Sequence, residues 1–160
     1  MTIEAPMSRY KKQNILLITT MLVIAAGIFG YDGYLSQYKW SGRYSFYEKH
    51  VVKNGGVPSS DMDFNRYSPP FMVIGAALIT VYFFMVRGKK VVADEAGLKA
   101  CGKTIDYGAI EKINKTHFDS KGFFVVTYKD SQGQSCDLKI SDRTYDNLPA
   151  VLDHLVAKIS

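Results

Sequence analysis

Cysteine is scarce in this chain. Its two cysteines, Cys101 and Cys136, stand far apart, and no Cys-x-x-Cys pair or Cys/His cluster exists. That argues against a structural zinc and against a c-type haem. In a cytosolic setting both thiols stay reduced, whereas an oxidising compartment would let them pair across neighbouring strands. A Walker loop, Gly-x-Gly-x-x-Gly, Gly-x-Ser-x-Gly and His-Glu-x-x-His are also missing, which removes the commonest phosphate-binding, acyl-transfer and zinc-protease signals. The three histidines, His50, His117 and His154, fall in three different elements, and each reads as solvated or locally bonded and not as a general base. Both cysteines fall where a small buried residue fits a strand, not in the exposed electropositive setting of a nucleophile. No catalytic group, no cofactor and no metal is expected, and the chain is not read as an enzyme.

Charge is missing from two stretches, residues 15–31 (ILLITTMLVIAAGIFGY) and 71–86 (FMVIGAALITVYFFMV). Each is a little shorter than the roughly 20 residues a helix uses to cross a ~30 Å hydrocarbon core, and interfacial neighbours make up the difference. They predict a transmembrane hairpin with helices over 14–34 and 71–86. A cleaved signal peptide is the competing reading of the first run, but the small residues Ala25, Ala26 and Gly27 lie inside the run and not after it, so a retained anchor is expected. Ala26 with Gly30, and Ala76 with Thr80 beside Gly75, have the spacing that lets helix backbones approach closely in lipid. Asp32, just past the first run, is expected at headgroup level with a hydrated carboxylate.

The net charge of +5 is unevenly spread. Residues 1–90 hold eleven Lys or Arg against five Asp or Glu, and residues 91–160 hold nine against ten. The basicity therefore belongs to the flanks of the apolar runs, Arg9, Lys11 and Lys12 on one side and Arg87, Lys89 and Lys90 on the other, where lipid headgroups are the natural counter-charge and nucleic acid is not. Cations between the runs are spread out and partly neutralised by Glu48, Asp61 and Asp63, so the positive-inside bias places both termini in the cytoplasm.

Between the runs, residues 35–70 are rich in aromatics. Tyr38, Trp40, Tyr44, Phe46 and Tyr47 suit a bilayer interface or a protein contact, as do the cations Arg87, Lys89 and Lys90 at the other end of the second run. Ser45 with Glu48 has capping-box spacing and Asn54-Gly55-Gly56 supplies a stop, predicting a short helix over 46–53. Residues 57–70 (VPSSDMDFNRYSPP) have no apolar period and two clusters of turn formers, and read as an irregular connector. Asp61 and Asp63 fall short of a calcium site.

After Lys90 the pattern changes to strands. Five are predicted, over 91–93, 98–102, 105–115, 123–129 and 136–140, with Phe124, Val126 and Tyr128 sharing one face and Cys136, Leu138 and Ile140 another. Leu148, Val151, Leu152, Leu155, Val156 and Ile159 then mark a closing amphipathic helix, with Asp146 or Asn147 as cap and Pro149 in the first turn. The expected fold is a two-helix hairpin plus a small α+β domain over 91–160, an antiparallel sheet covered by one C-terminal helix, with 1–13 as a basic flank.

Gly97-Leu98 at the first hairpin and the Tyr107-x-x-Ile110-x-x-Ile113 segment resemble the bacterial pleckstrin-homology-like domains attached to membrane helices. The likeness covers about seventy residues, with five strands where that domain has seven. The resemblance implies a bacterial inner-membrane protein whose tail is an interaction module, because the Asp94–Gly97 turn is acidic where phosphoinositide readers are basic. The function expected is a non-catalytic structural or accessory subunit held among other membrane protein subunits and the lipid bilayer. The alternative is a membrane-anchored lipid- or peptide-binding sensor.

Overall fold

The structure, a computed structural model, describes residues 2–159. Met1 and Ser160, the outer ends of the predicted flank and tail domain, lie outside the described residues. The chain divides into two compact units, one of residues up to Gln13 together with those from Met85 onward, the other Asn14–Phe84.

The first unit is an α+β domain with seven strands. β1 (Ile3–Ala5), β2 (Val91–Ala93), β3 (Leu98–Ala100) and β4 (Lys103–Ile105) form one antiparallel sheet in that order. β5 (Ile110–Asn114), β6 (Phe123–Lys129) and β7 (Ser135–Ser141) form a second. A short helix, α4 (Phe118–Lys121), links β5 to β6, and α5 (Leu148–Ile159) closes the chain. Phe124, Val126 and Tyr128 on β6, with Ile140 on β7, point into a core closed by Leu148, Val151, Leu152 and Leu155 of α5. Ile159, placed on the apolar face by its spacing, is 37% exposed at the helix end.

Several sequence expectations change here. Residues 1–13, expected as a bare flank, contain β1, which pairs antiparallel with β2 in the register Ile3↔Ala93, Glu4↔Val92, Ala5↔Val91. Three residues carry too little period to be read as a strand, and the partner lies beyond the apolar runs. The single strand expected over 105–115 is broken by a 3-10 turn at Tyr107–Ala109, from which the Tyr107 hydroxyl reaches back to the carbonyl of Asp94 at 2.5 Å. Gly97, at φ +153°, permits a close pass of the Ile105 carbonyl that a Cβ would obstruct. Cys101, expected in a strand and buried, is exposed in the β3–β4 turn at φ +53°, and Cys136 is half-buried; both are free thiols. The side chains of both proposed caps of α5 bond to the N-terminal segment. Asp146 accepts a hydrogen bond from the Arg9 amide at 3.1 Å, and the Asn147 amide donates to the Glu4 carbonyl at 3.1 Å.

The second unit contains two helices of membrane-spanning length. α1 (Arg9–Gly30) runs on through a π-helical turn, Tyr31–Leu35. α1 is capped at its start by the fully buried Ser8, whose Oγ accepts from the Lys11 amide at 3.1 Å. After a 3-10 turn at Lys39–Ser41, α2 (Tyr44–Tyr47) continues into a π-helical turn, Glu48–Val52, ended by Gly55 and Gly56 at positive φ. The capping box expected from Ser45 and Glu48 does not form, since Arg43 stands at the cap with no side-chain bond. α3 spans Ser60–Val86. The stretch 57–70 is thus mostly helix and not an irregular connector. Ser59 starts it, its carbonyl accepting from Asp63 at 3.0 Å, and Pro69 and Pro70 lie inside it.

Candidate functional site

The two long helices pack antiparallel. Gly33 meets the backbone of Asn65, Gly30 meets Pro69 and Gly75 meets Leu22, so contacts on α1 descend as those on α3 rise. Of the residues expected at the helix pairing, Ala26 is 7% and Ala76 4% exposed. A Cβ on Gly30 would sit 3.8 Å from Pro69, and one on Gly75 3.9 Å from Leu22. Thr80 instead spends its hydroxyl on the Ala76 carbonyl of its own helix, at 2.8 Å. Of the seam glycines Gly33 is the most closely approached, and a Cβ there would lie 2.5 Å from the Asn65 carbonyl oxygen. Phe29 and Phe64 close edge to face at 5.4 Å beside it.

A polar cluster sits where the uncharged part of the hairpin ends. Asp32 is buried, contrary to the hydrated carboxylate expected, and Arg43 grips it with two bonds, Nε to Oδ1 at 2.7 Å and Nη2 to Oδ2 at 2.5 Å. The paired fork geometry makes this a strong, directional contact, and the carboxylate pushes the Arg43 guanidinium above its ordinary value. Ser36, fully buried, donates to the Asp32 carbonyl, and the Tyr31 hydroxyl donates to the Ser41 carbonyl at 2.6 Å. Across the helix pair, Arg66 Nε donates to the Gly33 carbonyl at 3.2 Å and the Tyr34 hydroxyl donates to the Arg66 carbonyl at 2.6 Å. The Ser68 hydroxyl is buried without a hydrogen-bond partner among the described residues.

The aromatics between the helices separate into two groups. Tyr44, Phe46 and Tyr47 are half-buried; Phe46 lies 4.3 Å from His50 and Tyr44 lies 5.9 Å from Tyr47. Tyr38 and Trp40 stack at 5.7 Å and face outward, Trp40 being 71% exposed. Of the flanking cations, Arg87 and Lys89 are exposed, and Lys90 pairs with Glu4 at 2.5 Å.

Potential chemistry elsewhere resolves into local structure. His50 Nδ1 lies 2.8 Å from Ser59 Oγ and 3.6 Å from Asp61. Both partners face the same ring nitrogen, so no relay from carboxylate through imidazole to hydroxyl exists. His117 packs beside Phe123 at 5.4 Å. His154, expected on the polar side of α5, has Nε2 buried without a partner among the described residues and its ring 6.3 Å from Tyr107. No group of three or more His, Cys, Asp or Glu placed to hold a metal occurs among the described residues. Sequence reasoning missed Gly33, Arg43, Tyr34 and Arg66. Its only signal was a lone carboxylate, Asp32, ending an uncharged run with a cation eleven residues on. Comparison with protein-family models, with characterised proteins and with solved structures finds no match to this chain.

Proposed function

We propose that this chain is a non-catalytic integral membrane protein that serves as a structural or accessory subunit of a larger membrane assembly. The observation that carries the reading is the outer surface of the helix pair. Leu16, Met21, Ile24 and Ile28 on α1, and Phe71, Leu78, Val81 and Met85 on α3, are 55% to 72% exposed. The best apolar windows are only 6% and 11% buried, unlike a soluble core helix. Each such side chain gains about 1.5–3 kcal/mol by leaving water, so lipid or protein must cover them. α3 also supplies the length that the sequence left short: residues 67–86 are uncharged and helical, twenty residues, or about 30 Å of hydrocarbon at ~1.5 Å per residue.

The seven strands in sheets of four and three with one C-terminal helix support a pleckstrin-homology-like module, cut between β1 and β2 by the hairpin. The pairing of those two strands supports both flanks lying on one side of a membrane crossed by the helices, and the cationic flanks favour the cytoplasmic side, as at a bacterial inner membrane. The lipid-sensor reading is less well supported. Lys99 is held by Asp94 at 2.7 Å and Lys103 by the Tyr128 hydroxyl at 3.0 Å, so the cations nearest the first hairpin are already engaged.

Extraction in a mild detergent followed by native sizing should yield the chain in a stable larger complex with other membrane subunits. Migration only as a free monomer overturns the subunit role. In intact cells, a membrane-impermeant thiol reagent should label a Val57→Cys variant at residue 57, which is 64% exposed between the two helices, and leave Cys101 untouched; the reverse pattern overturns the orientation.

A further inference from the structure

We propose that the Lys39–Ser41 turn is a depth-fixed bilayer anchor, in which the Tyr38–Trp40 stack seats in the lipid headgroup boundary and the Asp32–Arg43 ion pair holds it there. This rests on the membrane reading above.

Three observations carry it. The uncharged part of both helices stops at one level, marked by Asp32 on the first and Arg66 on the second, Arg66 Nε donating to the carbonyl of Gly33, the residue next to Asp32, at 3.2 Å. The turn is folded back to that level by two independent tethers, the Tyr31 hydroxyl on the Ser41 carbonyl and the Arg43 fork on Asp32. Trp40 therefore stands one residue from a backbone group bonded to the last residue of the apolar run. Thirdly, the stacked pair is the part of the aromatic set turned outward, while Tyr44, Phe46 and Tyr47 are half-buried.

An amphipathic ring at the depth where hydrocarbon gives way to water is most stable in the headgroup zone. Lys39 beside it, 5.9 Å from the Tyr44 ring, adds a cation that reaches toward phosphate. The exposed apolar faces of α1 and α3 continue toward the turn, with Ile28 at 55% and Tyr67 at 67% exposure. The occupant is accordingly lipid and not a second protein.

Trp40 is the only tryptophan, so its fluorescence reports on this turn alone. The full chain is reconstituted into vesicles of phosphatidylcholine and phosphatidylglycerol carrying a nitroxide either near the headgroup or at the acyl terminus. The expected result is strong quenching by the shallow label, weak quenching by the deep one and little access to aqueous iodide. Arg43→Gln should lose most of the shallow quenching and gain iodide access. Tyr31→Phe should do the same to a smaller extent, and it serves if Arg43→Gln does not fold. Iodide-accessible emission that neither lipid label quenches overturns the anchor. So does emission shielded from all three, which would mean a protein contact. Unchanged quenching in both variants overturns the tether. If the protein fails to float with vesicles after an alkaline wash, the membrane reading itself falls.

Discussion

Gly33 shows how one missing side chain sets the geometry of the helix pair. Its neighbour Asn65 approaches so closely that any Cβ must push the helices apart. Gly33→Ala should destabilise the detergent-solubilised protein by about 1–3 kcal/mol through overpacking. Gly27→Ala, on the same element with nothing within 4 Å, should be neutral or stabilising by up to ~1 kcal/mol through helix propensity. Thermal unfolding of the two variants side by side checks this, and equal effects would reject Gly33 as the crossing point. A second residue-scale expectation concerns Tyr145. Burial, and next the Cys101 thiol 3.8 Å away, push its phenol from the usual 10.0 up to about 12. A group whose folded pKa is raised contributes stability that is complete below the unfolded pKa and lost as pH climbs through the folded one. The loss should therefore fall between pH 10 and about 12, read as the difference in tyrosinate absorbance and in melting temperature between the parent and Tyr145→Phe. Neither residue was legible in the sequence. Gly33 reads as one more glycine near a helix end, and the burial of Tyr145 depends on what folds over it.

At the scale of elements, what the sequence disclosed were patterns repeated along one continuous stretch. The alternation of Phe124, Val126 and Tyr128 and the helical spacing of Leu148 to Leu155 lie where periodicity puts them, and the uncharged runs lie within longer helices, the second of which begins at Ser60 and not at residue 71. What escaped were elements whose justification comes from elsewhere in the chain. β1 is three residues long and is completed by β2. α3 runs through Pro69 and Pro70, which remove two backbone donors and so free the carbonyls of Asn65 and Arg66. The Tyr34 hydroxyl takes up the Arg66 carbonyl at 2.6 Å, which is how the helix tolerates a proline pair that local rules read as a break. The cluster of Asp32, Gly33, Arg43 and Arg66 was hidden for the same reason, since its members come from three separate stretches. A double-mutant cycle tests the compensation. Tyr34→Phe alone should cost about 0.5–1.5 kcal/mol by removing the hydrogen bond to that carbonyl. In a Pro70→Ala background, where the residue 70 amide can bond to Arg66 directly, the same change should cost clearly less. Full additivity in chemical unfolding would show that the tyrosine is not substituting for the proline's lost donor.

For the whole molecule, the decisive feature is that one small domain is assembled from both sides of the helical hairpin. β1 contributes more than an edge. Ala5 is fully buried and Met7 3% exposed, Met7 bridges to Tyr145, and Ser8 is bonded through its amide to Thr144 at 2.8 Å and through its hydroxyl to Arg143 at 2.6 Å. A domain of this size has little stability to spare, and burial of Met7 alone is worth about 1.5–3 kcal/mol. Residues 91–160 expressed alone leave the β2 edge open and the core partly uncovered along Ala5 and Met7. They should unfold at a markedly lower temperature than a chain in which residues 1–8 are joined to 90–160 by a short glycine-serine linker replacing the hairpin. The joined chain has a ready path, because Ala5 pairs with Val91 and the two ends to be linked are already neighbours. Hydrogen exchange should then show β2 amides protected in the joined chain and open in the fragment. If both forms melt together with equal protection of β2, the first strand is an accessory to a self-sufficient tail, and the hairpin is appended to the domain and not threaded through it.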